Sequence, residues 1–350
     1  MTKYYATSVP GLESVVRADI RAKLEGSQLI EEKRGRLLFA YPGEPEQLLY
    51  LRSAEDVFVF VENIGGLTRS RNSLGAIFRR IRGANLETAL RIHKQVHGGK
   101  GKKGLTFKVI SNMVGRHNFR RVDVQTAVES SLVEKCGWRI NLESPTLEFR
   151  IDLEEDTALF GLRLTDEKAR KETYKMAHIP ASLNPRVAYC MVLLSEPEPG
   201  DVFVDPMCGA GTIAIERALA GKYRRVIGGD IEEAVIRSAR NNVNASRRSM
   251  DLMLWDVSNI PLQDHTVDKI VCNLPFGKQV GSRSENQSLY YAFFREMTRV
   301  LKHRGKAVLL TTESELMREL ISRYPSVNLK RSLRIDLMGL RAYIYVMNIS

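Results

Sequence analysis

Residues 3–8, KYYATS, read as a strand, and Leu12, Val15, Val16, Ile20 and Leu24 then recur at helical spacing. GRLLFAYP predicts a second strand closed by Pro42, PEQLLYLRS a helix, and DVFVFVENI a further strand. LETALRIHKQV predicts a helix that runs into HGGKGKKG, a glycine-lysine loop unsuited to regular structure. LTFKVISN then reads as a strand and RVDVQTAVESSLVEK as a helix. TLEFRIDLEED and TALFGLRL read as two strands joined by a short acidic turn. The first half is therefore mixed α+β, without a regular β-α-β rhythm.

Residues 165–183 are polar and charged and suit a linker. A helix begins at NPRVAYCMVLL, with Asn184 as N-cap and Pro185 at the first helical position. From there strands and helices alternate: DVFVDPM, GTIAIERALAG, RRVIGGD, EEAVIRSARNNV, DLMLWDV, TVDKIVCNL, SLYYAFFREMTRVL, KAVLLTT and SELMRELISRY. That rhythm predicts a doubly wound parallel sheet. The last two strands, NLKRSLRIDL and RAYIYVMNI, lie so close in sequence that they can pair only as a hairpin, so one of them runs antiparallel to the sheet.

The 350 residues suffice for two or three domains with real cores, and 43% apolar with 27% charged content is ordinary for a globular protein. No apolar run approaches the roughly 20 residues of a spanning helix, and the N-terminus lacks a signal-peptide stretch, so no membrane association is expected. Cys136, Cys190, Cys208 and Cys272 form no C-x-x-C pair, which indicates neither zinc nor a disulfide framework. A cytoplasmic, reducing location is the expectation. His93, His97, His117, His178, His265 and His303 are unclustered.

The net charge of +12 is unevenly spread. From Arg69 to Arg121 there are fourteen basic residues, and the only acid is Glu87. Solubility alone would be served by mixed signs, so this segment predicts a polyanion surface. Lys100, Lys102 and Lys103 in the loop are expected phosphate contacts. Arg116, Arg120 and Arg121, with Phe119 between them, precede a helix and form the stronger candidate RNA face.

Candidate chemistry sits at strand ends in the second half. VFVDPMCGAGTIAIERA is a strand, a glycine turn and a helix, and Gly209-x-Gly211-x-x-Ala214 formally fits a dinucleotide fingerprint. Yet Asp205 ends the strand, and a carboxylate is a poor neighbour for a pyrophosphate. It suits a ligand carrying a cation, such as a sulfonium with an ammonium group. Asp230 ends the next strand, placed to accept from ribose hydroxyls, and Asp256 follows the third, placed to accept from an adenine amine. Three acids at consecutive strand ends point to S-adenosylmethionine rather than NAD. VCNLPFG ends the fourth strand in Asn273. The exocyclic amine of a base is a poor nucleophile, because its lone pair is delocalised into the ring. The Asn273 side-chain oxygen and the Leu274 carbonyl can accept its two N–H hydrogens, Pro275 fixes the turn, and Phe276 offers a stacking surface to a flipped-out base.

DPMCGAGT together with NLPFG resembles the class I S-adenosylmethionine-dependent methyltransferases that methylate amino groups. FKVISN…GRHNFRRVDVQTAVESSLVEKCGWRINLESPTLEFRIDL…TALFGLRL is similar to a THUMP domain, an RNA-binding module often preceded by a ferredoxin-like segment. The order resembles the tRNA guanine-N2 methyltransferases. The resemblance implies an α/β protein: a ferredoxin-like region at 1–65, a THUMP region at 66–164, a linker at 165–183 and a Rossmann-like catalytic domain with a terminal antiparallel hairpin at 184–350. It further implies that Asp205, Cys208, Gly209, Ala210, Gly211, Thr212, Asp230, Ile231, Asp256, Val257 and Asn273 hold S-adenosylmethionine, with Pro180, Ala181 and Leu183 at its amino-acid end. By the same resemblance, Asn273, Leu274, Pro275 and Phe276 hold the base, the THUMP region grips the 3′ end of tRNA, and the target lies in the acceptor stem at position 6 or 7. Leu274 stands where the DNA adenine enzymes commonly have proline, which favours the RNA-guanine branch. The chain is short after Gly277, with no insertion for reading bases, so target choice falls to the first half. Ribosomal RNA guanine, protein glutamine, a non-catalytic RNA-binding role and a dehydrogenase remain as alternatives.

Overall fold

The computed structural model describes residues 1–99, 104–165, 174, 182–275, 283–337 and 339–350, with 283–286 described by backbone only. The chain divides into two compact units, one of Met1–Thr7 with Asp19–Lys171, the other of Ser8–Ala18 with Glu172–Ser350.

The first unit is built on β1 (Thr2–Thr7), β2 (Gln28–Lys33), β3 (Arg36–Tyr41), β4 (Asp56–Ile64), β5 (Thr106–Val114), β6 (Arg139–Ile140), β7 (Leu147–Glu154) and β8 (Thr157–Arg163). They form one sheet in the order β2-β3-β1-β4-β8-β7-β5-β6. The antiparallel pair β4–β8, with Val59 opposite Leu162, carries the sheet across from the strands before residue 65 to those after it. The helices are α1 (Glu13–Lys23, whose first half is grouped with the other unit), α2 (Asn72–Gly83), α3 (Glu87–His97) and α4 (Arg121–Cys136). Several elements differ from expectation, among them the polar edge strand β2 and the two-residue β6, which the sequence reading does not contain. PEQLLYLRS forms a short 3-10 helix at Pro45–Tyr50 rather than an α-helix. α2 was not expected, although Ile77 and Ile81 recur on one face and are fully buried.

The second unit contains α5 (Pro185–Leu194), β9 (Val202–Asp205), α6 (Thr212–Ala220), β10 (Arg225–Asp230), α7 (Glu233–Ser246), β11 (Asp251–Leu254), β12 (Val267–Asn273), α8 (Arg283–Val300), β13 (Leu301–Thr311), α9 (Ser314–Arg323), β14 (Val327–Leu337) and β15 (Leu340–Ile349). Asn184 caps α5 by accepting the Arg186 amide at 2.8 Å, with Pro185 in the first turn, as its sequence dictates. The strand order is β11-β10-β9-β12-β13-β15-β14. β11, β10, β9, β12 and β13 are parallel, and β15 is the antiparallel member.

Both faces of this sheet are covered, which is why its strands read as continuous apolar runs rather than as alternation. Along β12, Ile270 and Cys272 pack on one side with Tyr290, Phe293 and Met297 of α8, while Val271 packs on the other with Val187 and Met191 of α5. Val9, Leu12 and Val15 join the latter cluster. The strand order reverses between β9 and β12. Their carboxyl ends therefore flank a crevice, the position where open α/β sheets bind ligands.

Candidate active site

The site grows from the β9–α6 turn. Gly209 and Gly211 take positive φ, 51° and 79°, a region that costs other residues strain. The turn is strapped to β10: the Cys208 amide donates to the Gly229 carbonyl at 2.8 Å, and the Gly209 amide donates to the Asp230 carboxylate at 3.0 Å. The buried Asn242 side chain of α7 donates to the Ala210 carbonyl at 3.0 Å. Trp255 closes the other side, its indole N–H donating to the Pro206 carbonyl at 3.0 Å. Its ring fills the space beside Gly229, where a Cβ would lie 1.8 Å from it.

Two acceptor oxygens stand at the crevice without a hydrogen-bond partner among the described residues. Asp205 is 1% exposed and its Oδ1 has no hydrogen bond. Burial, followed by the charge of Asp230, pushes its carboxyl well above the usual range, against the opposing hydrogen bond from the Met207 amide. The Asn273 Oδ1 is likewise buried and unpartnered. Both residues line a cavity of about 80 Å³ with Ser182, Leu183 and Thr212. A second cavity of about 280 Å³ is lined by Asp230, Ile231, Trp255, Asp256, Val257 and Pro275, and Asn273 reaches this one too. Buried oxygens without donors are destabilising, so the pair favours a ligand that brings N–H groups or positive charge. A pyrophosphate would meet the Asp205 carboxyl instead. The residues therefore fit a cationic, adenosine-like ligand better than a dinucleotide.

The anticipated residues occupy distinct surroundings. Asp230 accepts from Gly209 and Glu232, and Asp256 caps its own turn by accepting the Ser258 amide at 2.8 Å. Ile231 is 65% exposed, whereas the Val257 side chain is buried. Leu274 is wholly buried in the core, so only its backbone can face a ligand. Burial raises the thiol pKa of both Cys208 and Cys272, leaving neither poised as a nucleophile. Tyr290 of α8 was not singled out by its sequence. Its hydroxyl donates to the Pro275 carbonyl at 2.7 Å and lies 2.8 Å from the Thr311 hydroxyl. Pro180, Ala181, Phe276, Lys100, Lys102 and Lys103 lie outside the described residues.

In the first unit, the basic segment is only partly available. Arg80 pairs with Glu62 at 2.8 Å, Arg82 with Glu134 at 2.5 Å, and Lys108 with Glu148 at 2.7 Å. Arg121 donates to the Ser111 carbonyl at 3.0 Å. Phe119, expected between the arginines as part of an RNA face, is 5% exposed and packs against His117 with centroids 5.0 Å apart. It is a packing residue and presents no face for stacking. Arg116 and Arg120 remain exposed, and the Asn118 amide donates to the Arg69 carbonyl at 2.8 Å, joining their turn to the exposed stretch of Arg69 and Arg71. Among the described residues no three metal-ligating side chains converge, and no helix is long and apolar enough to cross a membrane.

Comparison with known proteins places two modules on this chain. The family described as "RMKL-like, methyltransferase domain" matches residues 172–342, and the THUMP domain matches residues 86–163. The tRNA (guanine(6)-N(2))-methyltransferase THUMP3 of Mus musculus is 31% identical over 258 residues, covering 69% of this chain and 51% of the mouse protein. The chain thus spans about half the length of the mammalian relatives it matches. A tRNA (guanine(6)-N2)-methyltransferase of Thermus thermophilus is 27% identical over 345 residues, covering 98% of each chain. The crystal structure of TrmN from Thermus thermophilus has a TM-score of 0.82 at 25% identity, covering all of both chains.

Proposed function

Because the chain belongs to the family that joins a THUMP domain to an RMKL-like methyltransferase domain, we propose that it methylates the exocyclic N2 of a guanosine in tRNA, using S-adenosylmethionine. The target on this reading lies in the acceptor stem, at position 6 or 7, and the enzyme works in the cytoplasm. The observation that carries the proposal is the unpartnered Asn273 oxygen, which lines both cavities at the end of β12.

S-adenosylmethionine would supply an electrophilic methyl group on a positively charged sulfur. Asp205 would hold its ammonium end, Asp230 its ribose hydroxyls and Asp256 its adenine amine, with Cys208, Gly209, Ala210, Gly211, Thr212, Ile231 and Val257 around it. Leu183 lines the Asp205 cavity, and Pro180 and Ala181 belong with it by family resemblance.

Asn273 accepts one N–H of the guanine amine through its side-chain oxygen, and the Leu274 carbonyl accepts the other. Holding both hydrogens orients the nitrogen lone pair and draws it out of conjugation with the ring. Pro275 sets the turn, and Tyr290 fixes the next peptide by donating to the Pro275 carbonyl. Phe276 supplies the stacking surface. No strong general base is needed, since the amine proton can leave to water after transfer. Residues 66–164, with Arg116 and Arg120 exposed and the lysines of the glycine loop beside them in sequence, take the 3′ end of tRNA. Residues 1–65 extend the same sheet, and 184–350 carry the chemistry.

Tritiated methyl transfer from S-adenosylmethionine to separated tRNA and rRNA tests the proposal. Label in the tRNA fraction is the expected result, and label confined to rRNA or absent from both contradicts it.

A further inference from the structure

The strand register of the second unit brings an unassigned basic surface to the same end of the sheet as Asn273. Asn273 is opposite Leu310, Leu310 opposite Ile344, and Ile344 opposite Leu333. One row further out, Thr311, Tyr343 and Arg334 stand side by side. The β14–β15 hairpin continues beyond that row through Arg341, opposite Asp336, to its tip at Leu337 and Leu340. Three strand spacings separate β12 from β14, about 14 Å at the usual inter-strand distance. Cross-strand partners and alternate residues share a face, so Arg334, Tyr343 and Arg341 project from the same side of the hairpin, together with the single acid Asp336.

The hairpin is firmly held. The outer edge of β14 is covered by the segment Ser8–Ala18: the Asp336 amide donates to the Pro10 carbonyl at 3.0 Å, and Arg331 donates to the Ser14 hydroxyl at 2.6 Å. Gly11, at φ 102°, permits this approach, because a Cβ there would lie 2.0 Å from the Arg334 carbonyl. The edge therefore resists strand addition, while the side chains stay open. Lys330, Arg334 and Arg341 are exposed, and none has an ion-pair partner among the described residues. Asp336 is the only acid on either strand, against Lys330, Arg331, Arg334 and Arg341.

We propose that the β14–β15 hairpin is a docking surface for the RNA backbone, with Arg334 and Arg341 binding phosphates next to the nucleotide delivered to Asn273. The proposal rests on the RNA-methylating reading above. Guanidinium groups suit phosphate oxygens through paired N–H donors. A cationic surface on strands about 10–14 Å to the side of β12 is within reach of the same RNA, where successive phosphates repeat every few ångströms.

The test measures tRNA affinity of the full chain by anisotropy across a potassium chloride series, for wild type and for the Arg334→Ala/Arg341→Ala double variant. The expected result is weaker binding and a plot of log affinity against log salt that is shallower by roughly 1.4–1.8, that is 0.7–0.9 for each lost phosphate contact. Affinity for S-adenosylmethionine, read by calorimetry, stays at the wild-type value, and Arg334→Lys/Arg341→Lys recovers most of the slope. A double alanine variant with the wild-type salt slope overturns the proposal, including one whose affinity falls at unchanged slope. Loss of binding to an acidic protein with tRNA binding intact overturns it too, in favour of a protein partner. A wild-type chain that binds no tRNA at all instead overturns the function reading from which the proposal starts.

Discussion

Asp205 and Asn273 each bury an oxygen for which the described residues supply no donor, and each faces a cavity. This arrangement has a measurable cost. Asp205 is held above the unfolded value of about 3.9 by burial first and by Asp230 second. Between that value and the higher native one, the folded state binds more protons than the unfolded state. The stability Asp205 contributes is thus complete below about pH 3.9 and is lost as pH rises through the native pKa. Urea denaturation of the ligand-free protein is therefore expected to show wild-type stability falling from acid toward neutral pH, relative to Asp205→Asn. Parallel curves for the two proteins would contradict the assignment. Tyr290 makes a second prediction at this scale. Tyr290→Phe leaves the Pro275 carbonyl without its donor, which is expected to lower stability by about 1–3 kcal/mol. On the proposed function it also loosens the acceptor turn, so kcat falls by about ten-fold while affinity for S-adenosylmethionine holds. Equal loss of both would mark Tyr290 as merely structural.

The glycine turn between β9 and α6 was legible because its information is local: an apolar strand, an acid, two glycines at fixed spacing and a helix. The Asn273 turn was legible for the same reason. What holds these turns was not. Trp255, Asn242 and Tyr290 reach them from other elements, and no short window of sequence shows that. β2 gives no signal in the sequence because it is a polar strand at the sheet edge, with no apolar alternation to reveal it. Helical spacing alone did not separate a 3-10 helix from an α-helix at Pro45–Tyr50. Gly229 tests the element-scale account. In Gly229→Ala the new methyl would occupy the Trp255 ring position, so the indole must shift, at a cost of about 1–3 kcal/mol or more. Lower thermal stability together with weaker S-adenosylmethionine binding is expected. Wild-type values for both would show that the contact between Gly229 and Trp255 does not set the site.

Across the whole molecule, part of the charge that the sequence shows is paired within the fold. The segment from Arg69 to Arg121 holds fourteen basic residues, but Glu62, Glu134 and Glu148 lie outside it and neutralise Arg80, Arg82 and Lys108. Phe119 looked like an exposed aromatic among arginines, yet an aromatic in a polar run is often the residue that anchors it, and here it is buried. Conversely, the basic hairpin of the second unit gives no signal in the sequence, because its relation to Asn273 exists only through the sheet register. The doubly wound sheet and its antiparallel strand were readable from the order of elements, since connection rules leave few alternatives. The account stands on Asn273 as acceptor for the amine of a guanine. Nucleoside mass spectrometry of tRNA incubated with S-adenosylmethionine and either wild type or Asn273→Ala tests this most directly. The account predicts N2-methylguanosine with the wild type and a rate at least about 100-fold lower with the variant, its cofactor affinity retained to within a few-fold. N2-methylguanosine formed equally fast by both proteins, or by neither, would contradict it.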